Sequence, residues 1–99
     1  MTTQSNPDGT HASFLKAELA LGFTFTTIAS QRYEIGYKES AGTSMVNAEK
    51  AYETVCRFLS DPKHCRRLTD TEIREITTEL ERLREELMKV EGLGLNAKT

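Results

Sequence analysis

The sequence contains no tryptophan, only two cysteines and two prolines, and no long apolar segment. Two cysteines, Cys56 and Cys65, are too few for the disulfide framework of a small secreted domain, so we expect free thiols and a cytoplasmic location. No apolar run approaches the roughly 20 residues of a membrane span, and residues 1–10 have neither the basic start nor the apolar stretch of a signal peptide. We therefore expect no membrane association.

A strong excess of one charge is also missing. Thirteen Lys and Arg against fifteen Asp and Glu give a net charge of −2 over 99 residues. Because nucleic-acid-binding domains are normally strongly basic, a nucleic acid is not the favoured partner. The length allows one domain, which excludes a cofactor domain beside a substrate domain.

The last third of the chain has the clearest periodicity. Its apolar residues recur every three or four positions, as in a coiled-coil seam, at Ile73, Ile76, Leu80, Leu83, Leu87 and Val90. Thr69 and Glu72 have the spacing of a capping box, and Gly92 suits a left-handed helix end. We predict a helix over 70–91, and its seam would also suit a homo-oligomer formed through this helix.

The middle segment repeats this pattern. Its apolar residues are Ala41, Met45, Ala48, Tyr52, Val55 and Leu59. The dipeptide Asp61-Pro62 ends it, because the residue before a proline is disfavoured in the α region. We predict a second helix over 38–60.

The first segment fits two structures. One helical face would contain Phe14, Leu15, Leu19, Leu21, Phe25, Ile28, Ala29 and Ile35. The alternative is a two-stranded hairpin, because residues 23–26 and 33–37 alternate with a period of two. The Ser-Gln dipeptide between them makes a poor two-residue turn, and an isolated hairpin is marginally stable. We therefore favour a helix over 13–35 that closes at Gly36.

Together these segments predict an all-α fold over residues 12–92. The short connection at Gly36 makes the first two helices an antiparallel hairpin, and the third long helix completes a three-helix bundle. Turn-forming and glycine-rich compositions at the two ends predict disordered tails over 1–11 and 93–99.

The junction of the first two helices resembles one tetratricopeptide repeat. The resemblance depends on Phe25, Ile28, Ala29, Tyr33, Gly36, Ala41, Met45 and Ala48. Ile28-Ala29 stands for the usual Leu-Gly pair, Tyr33 is one place late, and no second copy follows. The resemblance is therefore to a single degenerate repeat over about 25–48, and the whole chain also resembles small helical proteins of bacteria.

The resemblance implies a partner-binding face on the first helix. In that family the concave face of helix A contacts the ligand, which here corresponds to Phe23, Thr26, Ser30 and Tyr33, with Tyr37 nearby. The other interpretation, which we favour, is that Phe23 and Tyr33 only pack beneath the third helix.

Residues suited to catalysis or metal binding do not form a recognisable pattern. Cys56, His64 and Cys65 are the only close set of metal ligands, but the adjacent His64 and Cys65 can hardly share one ion and a fourth ligand is missing. We predict no metal, no cofactor and no catalysis. A nucleophilic Cys65 activated by a base is the enzymatic alternative.

Charge is distributed unevenly along the chain. Residues 57–67 contain one acid and four bases, which are Arg57, Lys63, Arg66 and Arg67. Residues 70–91 contain eight acids and four bases. The favoured function is a non-catalytic protein–protein interaction or adaptor module that self-associates. The alternative is a nucleic-acid or phosphate-binding accessory protein that uses the basic residues.

Overall fold

The structure is a computed structural model that describes residues 7–98, with side chains described for 11–94. The described residues form helices α1 (Pro7–Glu34), α2 (Lys38–Ser60), the short α3 (Pro62–Cys65) and α4 (Asp70–Lys98), and no strand. The all-α prediction is confirmed. The hairpin alternative is wrong, because residues 23–34 lie within α1.

α1 and α2 form an antiparallel hairpin, and α4 packs against both. The rings of Phe14 and Phe58, remote from the turn on the two helices, have centroids 5.2 Å apart. The largest fully buried side chains come from all three long helices and are Leu15, Val55, Ile76 and Leu83. Burying a side chain of this size contributes about 1.5–3 kcal/mol, so the core depends on α4 as much as on the hairpin.

The turn between α1 and α2 is a Schellman motif. The Tyr37 N–H donates to the Arg32 carbonyl (2.8 Å), and the Gly36 N–H donates to the Tyr33 carbonyl (3.2 Å). Gly36 has a φ of 89°, a conformation that disfavours residues with a side chain. The predicted closure at Gly36 is confirmed, and α2 has the predicted bounds.

The N-terminus of α4 is a capping box. The Glu72 N–H donates to the Thr69 hydroxyl (3.0 Å), and the Thr69 N–H donates to the Glu72 carboxylate (2.9 Å). The pairing predicted from the sequence is therefore confirmed.

Two helices are longer than their predicted bounds of 13–35 and 70–91. α1 begins at Pro7, where a proline is tolerated because a first-turn N–H has no partner within the helix. α4 continues through Gly92, so the predicted stop there is wrong. A Cβ placed on Gly94 would lie 3.0 Å from the Tyr33 ring, which shows how closely the two residues pack. This packing outweighs the low helix propensity of glycine. Residues 7–11 and 93–98 are thus helical, whereas 1–6 and 99 of the predicted tails lie outside the described residues.

The α4 seam is used within the single chain. Ile76, Leu80, Leu83, Leu87 and Val90 are buried, and Ile73 is half-buried. Pairing two copies through this seam would require α4 to leave the hairpin. A homo-oligomer through helix 70–91 therefore stays a prediction that concerns the outer face of α4, where Met88 is exposed.

Candidate interaction surface

An open groove of about 700 Å³ runs between α1 and α4. Leu19, Ala20 and Phe23 of α1 and Ile76 of α4 line its apolar floor. α1 contacts α4 less extensively than it contacts α2, and the groove lies along the less extensive of these two contacts. An apolar concavity with a few polar groups at its edge is typical of a binding site.

A second hollow of about 490 Å³ continues the groove toward the turn end of α1. Phe23 lines both hollows, so we name the two together the α1–α4 groove. Thr26 and Ser30 of α1 line the second hollow opposite Val90 of α4. The guanidinium of Arg82 lies 5.7 Å from the centroid of the Phe23 ring.

Three of the five residues predicted for partner binding share this groove. Phe23 and Ser30 are half-buried, whereas Thr26 is buried and donates its hydroxyl to the Gly22 carbonyl (2.6 Å). The Thr26 hydroxyl is therefore used for a hydrogen bond within α1.

The other two residues lie elsewhere. Tyr33 packs against Gly94 of α4, as the packing alternative expected, and lines a separate hollow with Glu49 and Glu91. Tyr37 is 62% exposed in the α1–α2 turn. The predicted face is thus divided between the α1–α4 groove, the hollow around Tyr33 and the turn.

Ion pairs within the chain occupy the edge of the groove. They are Lys16–Glu75 (3.4 Å), Arg82–Glu79 (2.9 Å) and Lys89–Glu86 (3.4 Å). All six side chains are substantially exposed, so each pair contributes at most about 1 kcal/mol. These pairs neutralise the charge at the edge of the groove. The acidic residues that α4 has in excess do not belong to these pairs.

Glu49 is the carboxyl whose environment is most clearly altered. Partial burial raises the pKa of Glu49 above its ordinary value, and the neighbouring carboxylates of Glu91 and Glu53 raise it further. Glu49 and Glu91 line the same hollow as Tyr33. This hollow is therefore unfavourable for anions at neutral pH.

The basic residues of the alternative function surround α3. Arg57, Lys63, Arg66 and Arg67 are all exposed. Arg66 donates to the Pro62 carbonyl (3.4 Å), and Arg57 lines a hollow of about 310 Å³ with His64. Their accessibility suits phosphate contacts, and anion binding stays a prediction.

The two groups of the enzymatic alternative have different neighbours. The His64 ring stacks on Phe58 with centroids 3.9 Å apart, and its Nε2 lies 3.7 Å from Asp61. The Cys65 thiol donates to the Leu59 carbonyl (2.8 Å). The structure thus supplies no base–nucleophile contact between His64 and Cys65. Over the described part of the chain, no three His, Cys, Asp or Glu side chains are grouped to hold a metal ion.

The sequence did not identify Lys16, Leu19 and Ala20 as residues that line a groove together with α4. These residues precede Phe23 at helical spacing, and this spacing was the signal that could have placed them on the same face of α1. Their opposite wall, with Ile76 and Glu75, lies about 60 positions away along the chain. Local periodicity carries no information on which α4 turn faces which α1 turn.

No protein-family model, curated protein or solved structure matches the chain. The resemblance to a tetratricopeptide repeat therefore stays a prediction. Its small residues Ala29, Ala41 and Ala48 are fully buried. Within residues 7–98, no helix has the length and apolarity needed to cross a membrane.

Proposed function

We propose that the protein is a non-catalytic, cytoplasmic helical interaction module whose α1–α4 groove receives one amphipathic helix of a partner protein. The observation that supports this most is Phe23, a half-buried aromatic residue at the point where the two hollows of the groove meet. Aromatic residues at the centre of a concave apolar surface commonly dominate binding energy.

The shape of the groove favours a helix as the occupant. Its walls are two long helices, and a further helix laid between them would complete a four-helix arrangement. Ala20 is exposed and Phe23 is half-buried, and the two are about one helical turn apart on α1, a spacing that suits residues at i and i+3 of a docked helix. The proposed hairpin of tetratricopeptide type is consistent with this use, because that family binds partner segments along helix A.

Charge specifies the partner further. The charged residues that line the groove balance one another and are the acids Glu75, Glu79, Glu85 and Glu86 and the bases Lys16, Arg74, Arg82 and Lys89. A partner helix with apolar residues on one face and charges of both signs along its edges is therefore complementary. The occupant we propose is an amphipathic helix whose polar face has charges of both signs.

Synthetic helical peptides that contain one Trp test this proposal. The chain has no Trp, so peptide fluorescence reports binding without background. We expect a peptide with leucines on one face and both lysines and glutamates on its edges to bind more tightly than a counterpart of the same composition whose leucines are spread around the helix. Phe23→Ala should weaken binding about tenfold, the scale of a moderate hot spot.

Leu21→Ala is the matched control, because Leu21 is a large, exposed apolar residue two positions away that does not line the groove. It should leave peptide affinity unchanged. Equal binding of the two peptides would contradict docking through one apolar face, and binding that survives Phe23→Ala or is lost with Leu21→Ala would overturn the groove assignment.

The second candidate is the phosphate or nucleic-acid function. It is supported by the exposure of all four basic residues around α3. We expect any such binding to fall steeply with salt and to be lost in the double variant Arg66→Ala, Arg67→Ala. Affinity for a short DNA or RNA duplex that is insensitive to both would reject this candidate.

A further inference from the structure

α1 has a second apolar stripe that no part of the described chain covers completely. It follows a heptad spacing through Phe14, Leu21, Phe25, Ile28 and Ile35, and we name it the outer seam. Phe14, Leu21 and Ile35 are 42%, 47% and 65% exposed, and Phe25 and Ile28 are half-buried. Ile35 keeps the helical position because its N–H donates to the Gln31 carbonyl (3.2 Å).

The outer seam lies on the flank of α1 that borders α2. Phe14 contacts Phe58 of α2, and Arg32, which belongs to the same heptad register, donates to the Ser40 hydroxyl. The α1–α4 groove is on the other flank, and Phe23 lines it. The two surfaces are therefore distinct, and occupation of one leaves the other open.

The composition of α1 is that of a helix covered on more than one side. Residues 19–31 contain no charged residue, although Ala20, Leu21 and Thr24 within this range are exposed. The solvated helix α4, by contrast, alternates acids and bases along its outer face. A helix that is uncharged around most of its circumference is normally buried by neighbours on several sides.

We propose that a second copy of this chain covers the outer seam, with the two α1 helices antiparallel and related by a twofold axis near Phe25. Glu18 and Arg32, the charged residues in the heptad register of the seam, lie seven residues on either side of Phe25. Antiparallel pairing about Phe25 therefore brings Glu18 of each copy beside Arg32 of the other. The same operation places Leu21 near Ile28 and Phe14 near Ile35.

This self-complementarity is specific to one orientation. A parallel pair would place Glu18 beside Glu18 and Arg32 beside Arg32, which is repulsive at both positions. A closed twofold dimer uses the same patch on both copies. The outer seam meets this condition, because its apolar and charged residues pair with those of a second seam that runs in the opposite direction. The seam from Phe14 to Ile35 spans about 32 Å of helix, which is long enough for a continuous helix–helix contact.

Sedimentation equilibrium on the full chain tests the dimer over a range of concentrations. We expect a reversible dimer of the 11.1 kDa chain. Leu21→Glu should weaken dimerisation by about 100-fold, because each interface would bury two unpaired carboxylates. Met88→Glu and Val46→Glu are matched controls, since both residues are exposed apolar positions outside the seam, and should leave the dissociation constant unchanged.

A charge exchange tests the orientation. Glu18→Arg or Arg32→Glu alone should each weaken the dimer about threefold to tenfold, and the double exchange should restore it. Circular dichroism of each variant checks that the fold is kept. As an independent readout, Phe25→Cys in a Cys56→Ser, Cys65→Ser background should be linked to itself by a short bismaleimide, whereas Val46→Cys should not.

Three results would overturn the proposal. The first is a chain that remains monomeric at millimolar concentration. The second is a dimer that tolerates Leu21→Glu but dissociates with Met88→Glu, which would place the contact on α4. The third is a dimer in which the double exchange of Glu18 and Arg32 fails to restore the affinity lost by the single changes.

Discussion

Gly22 of α1 lies directly against Leu83 of α4: a Cβ placed on Gly22 would be 2.6 Å from Leu83 Cδ2. Leu83 is fully buried, so its side chain has little freedom to move away. The same Cβ would lie 3.5 Å from Ala51 of α2. The three long helices thus meet at one glycine, which permits the close approach of α1 and α4 there.

We expect Gly22→Ala to destabilise the protein. Overpacking against the buried Leu83 costs about 1–3 kcal/mol, and over most of this range the cost exceeds the gain of about 1 kcal/mol from replacing a mid-helix glycine by alanine. Gly42→Ala in α2 is the matched control, because a Cβ on Gly42 meets nothing within 4 Å, and it should stabilise the protein. Urea unfolding at equilibrium measures both changes, and a Gly22→Ala variant as stable as Gly42→Ala would contradict this assignment.

The capping box makes a second prediction. Thr69→Ala removes the acceptor of the Glu72 N–H and should cost about 1 kcal/mol in the free energy of unfolding. Thr77→Ala, at an exposed position within α4, should be neutral or slightly stabilising. Thermal unfolding followed by circular dichroism compares the two, and equal losses would show that Thr69 has no special role.

The features that the sequence predicted correctly depend on near neighbours. The bounds of α2, the Thr69–Glu72 capping box and the closure at Gly36 each involve residues within a few positions of one another. Caps, proline and glycine act through the local backbone, so their effects can be derived without knowledge of the rest of the fold.

The faces of α1 could not be derived in this way. We placed eight apolar residues of α1 on one face, but Leu15 and Leu19 are buried whereas Phe14 and Leu21 are exposed. Successive helix residues are about 100° apart, so Phe14 and Leu15 cannot share one narrow stripe. Which stripe becomes the core depends on where α4 packs, and that is set by contacts distant in sequence.

The predicted placement of the candidate-site residues on one face was likewise correct for some of them and wrong for others. Phe23 and Ser30 were predicted from the resemblance to a tetratricopeptide repeat, and the structure places both in the α1–α4 groove. Tyr33 was assigned to the same face, but the continuation of α4 past Gly92 packs Gly94 against it. The glycine signal that predicted a helix end was local, and a tertiary contact outweighed it.

The turn at Gly36 makes a third prediction. Its φ of 89° is costly for a residue with a Cβ, so Gly36→Ala should destabilise the protein by about 1–2 kcal/mol. Gly36→Asn should cost less, because Asn adopts this conformation more readily. A Cβ at this position meets nothing within 4 Å, so the difference reports backbone strain and not crowding. Identical unfolding midpoints for the wild type and Gly36→Ala would contradict this account.

Glu49 makes a prediction about pH. Burial, Glu91 and Glu53 raise the pKa of Glu49 above 4.5, so the folded state holds this proton more tightly than the unfolded state does. The ionised carboxylate is therefore destabilising, and this effect is absent below pH 4.5, grows as the pH rises through the raised pKa and is complete above it. Glu49→Gln should stabilise the protein by about 0.3 kcal/mol at neutral pH and have no effect in acid.

The neighbour Glu91 provides the control for this pH effect. In a Glu91→Gln background the gain from Glu49→Gln at neutral pH should shrink, because one of the two repelling carboxylates has been removed. It should not vanish, since burial is the largest cause of the raised pKa. Thermal unfolding of the wild type, the two single variants and the double variant between acid and neutral pH measures these differences. A gain from Glu49→Gln that is the same at every pH would show that ionisation of this carboxyl is not its origin.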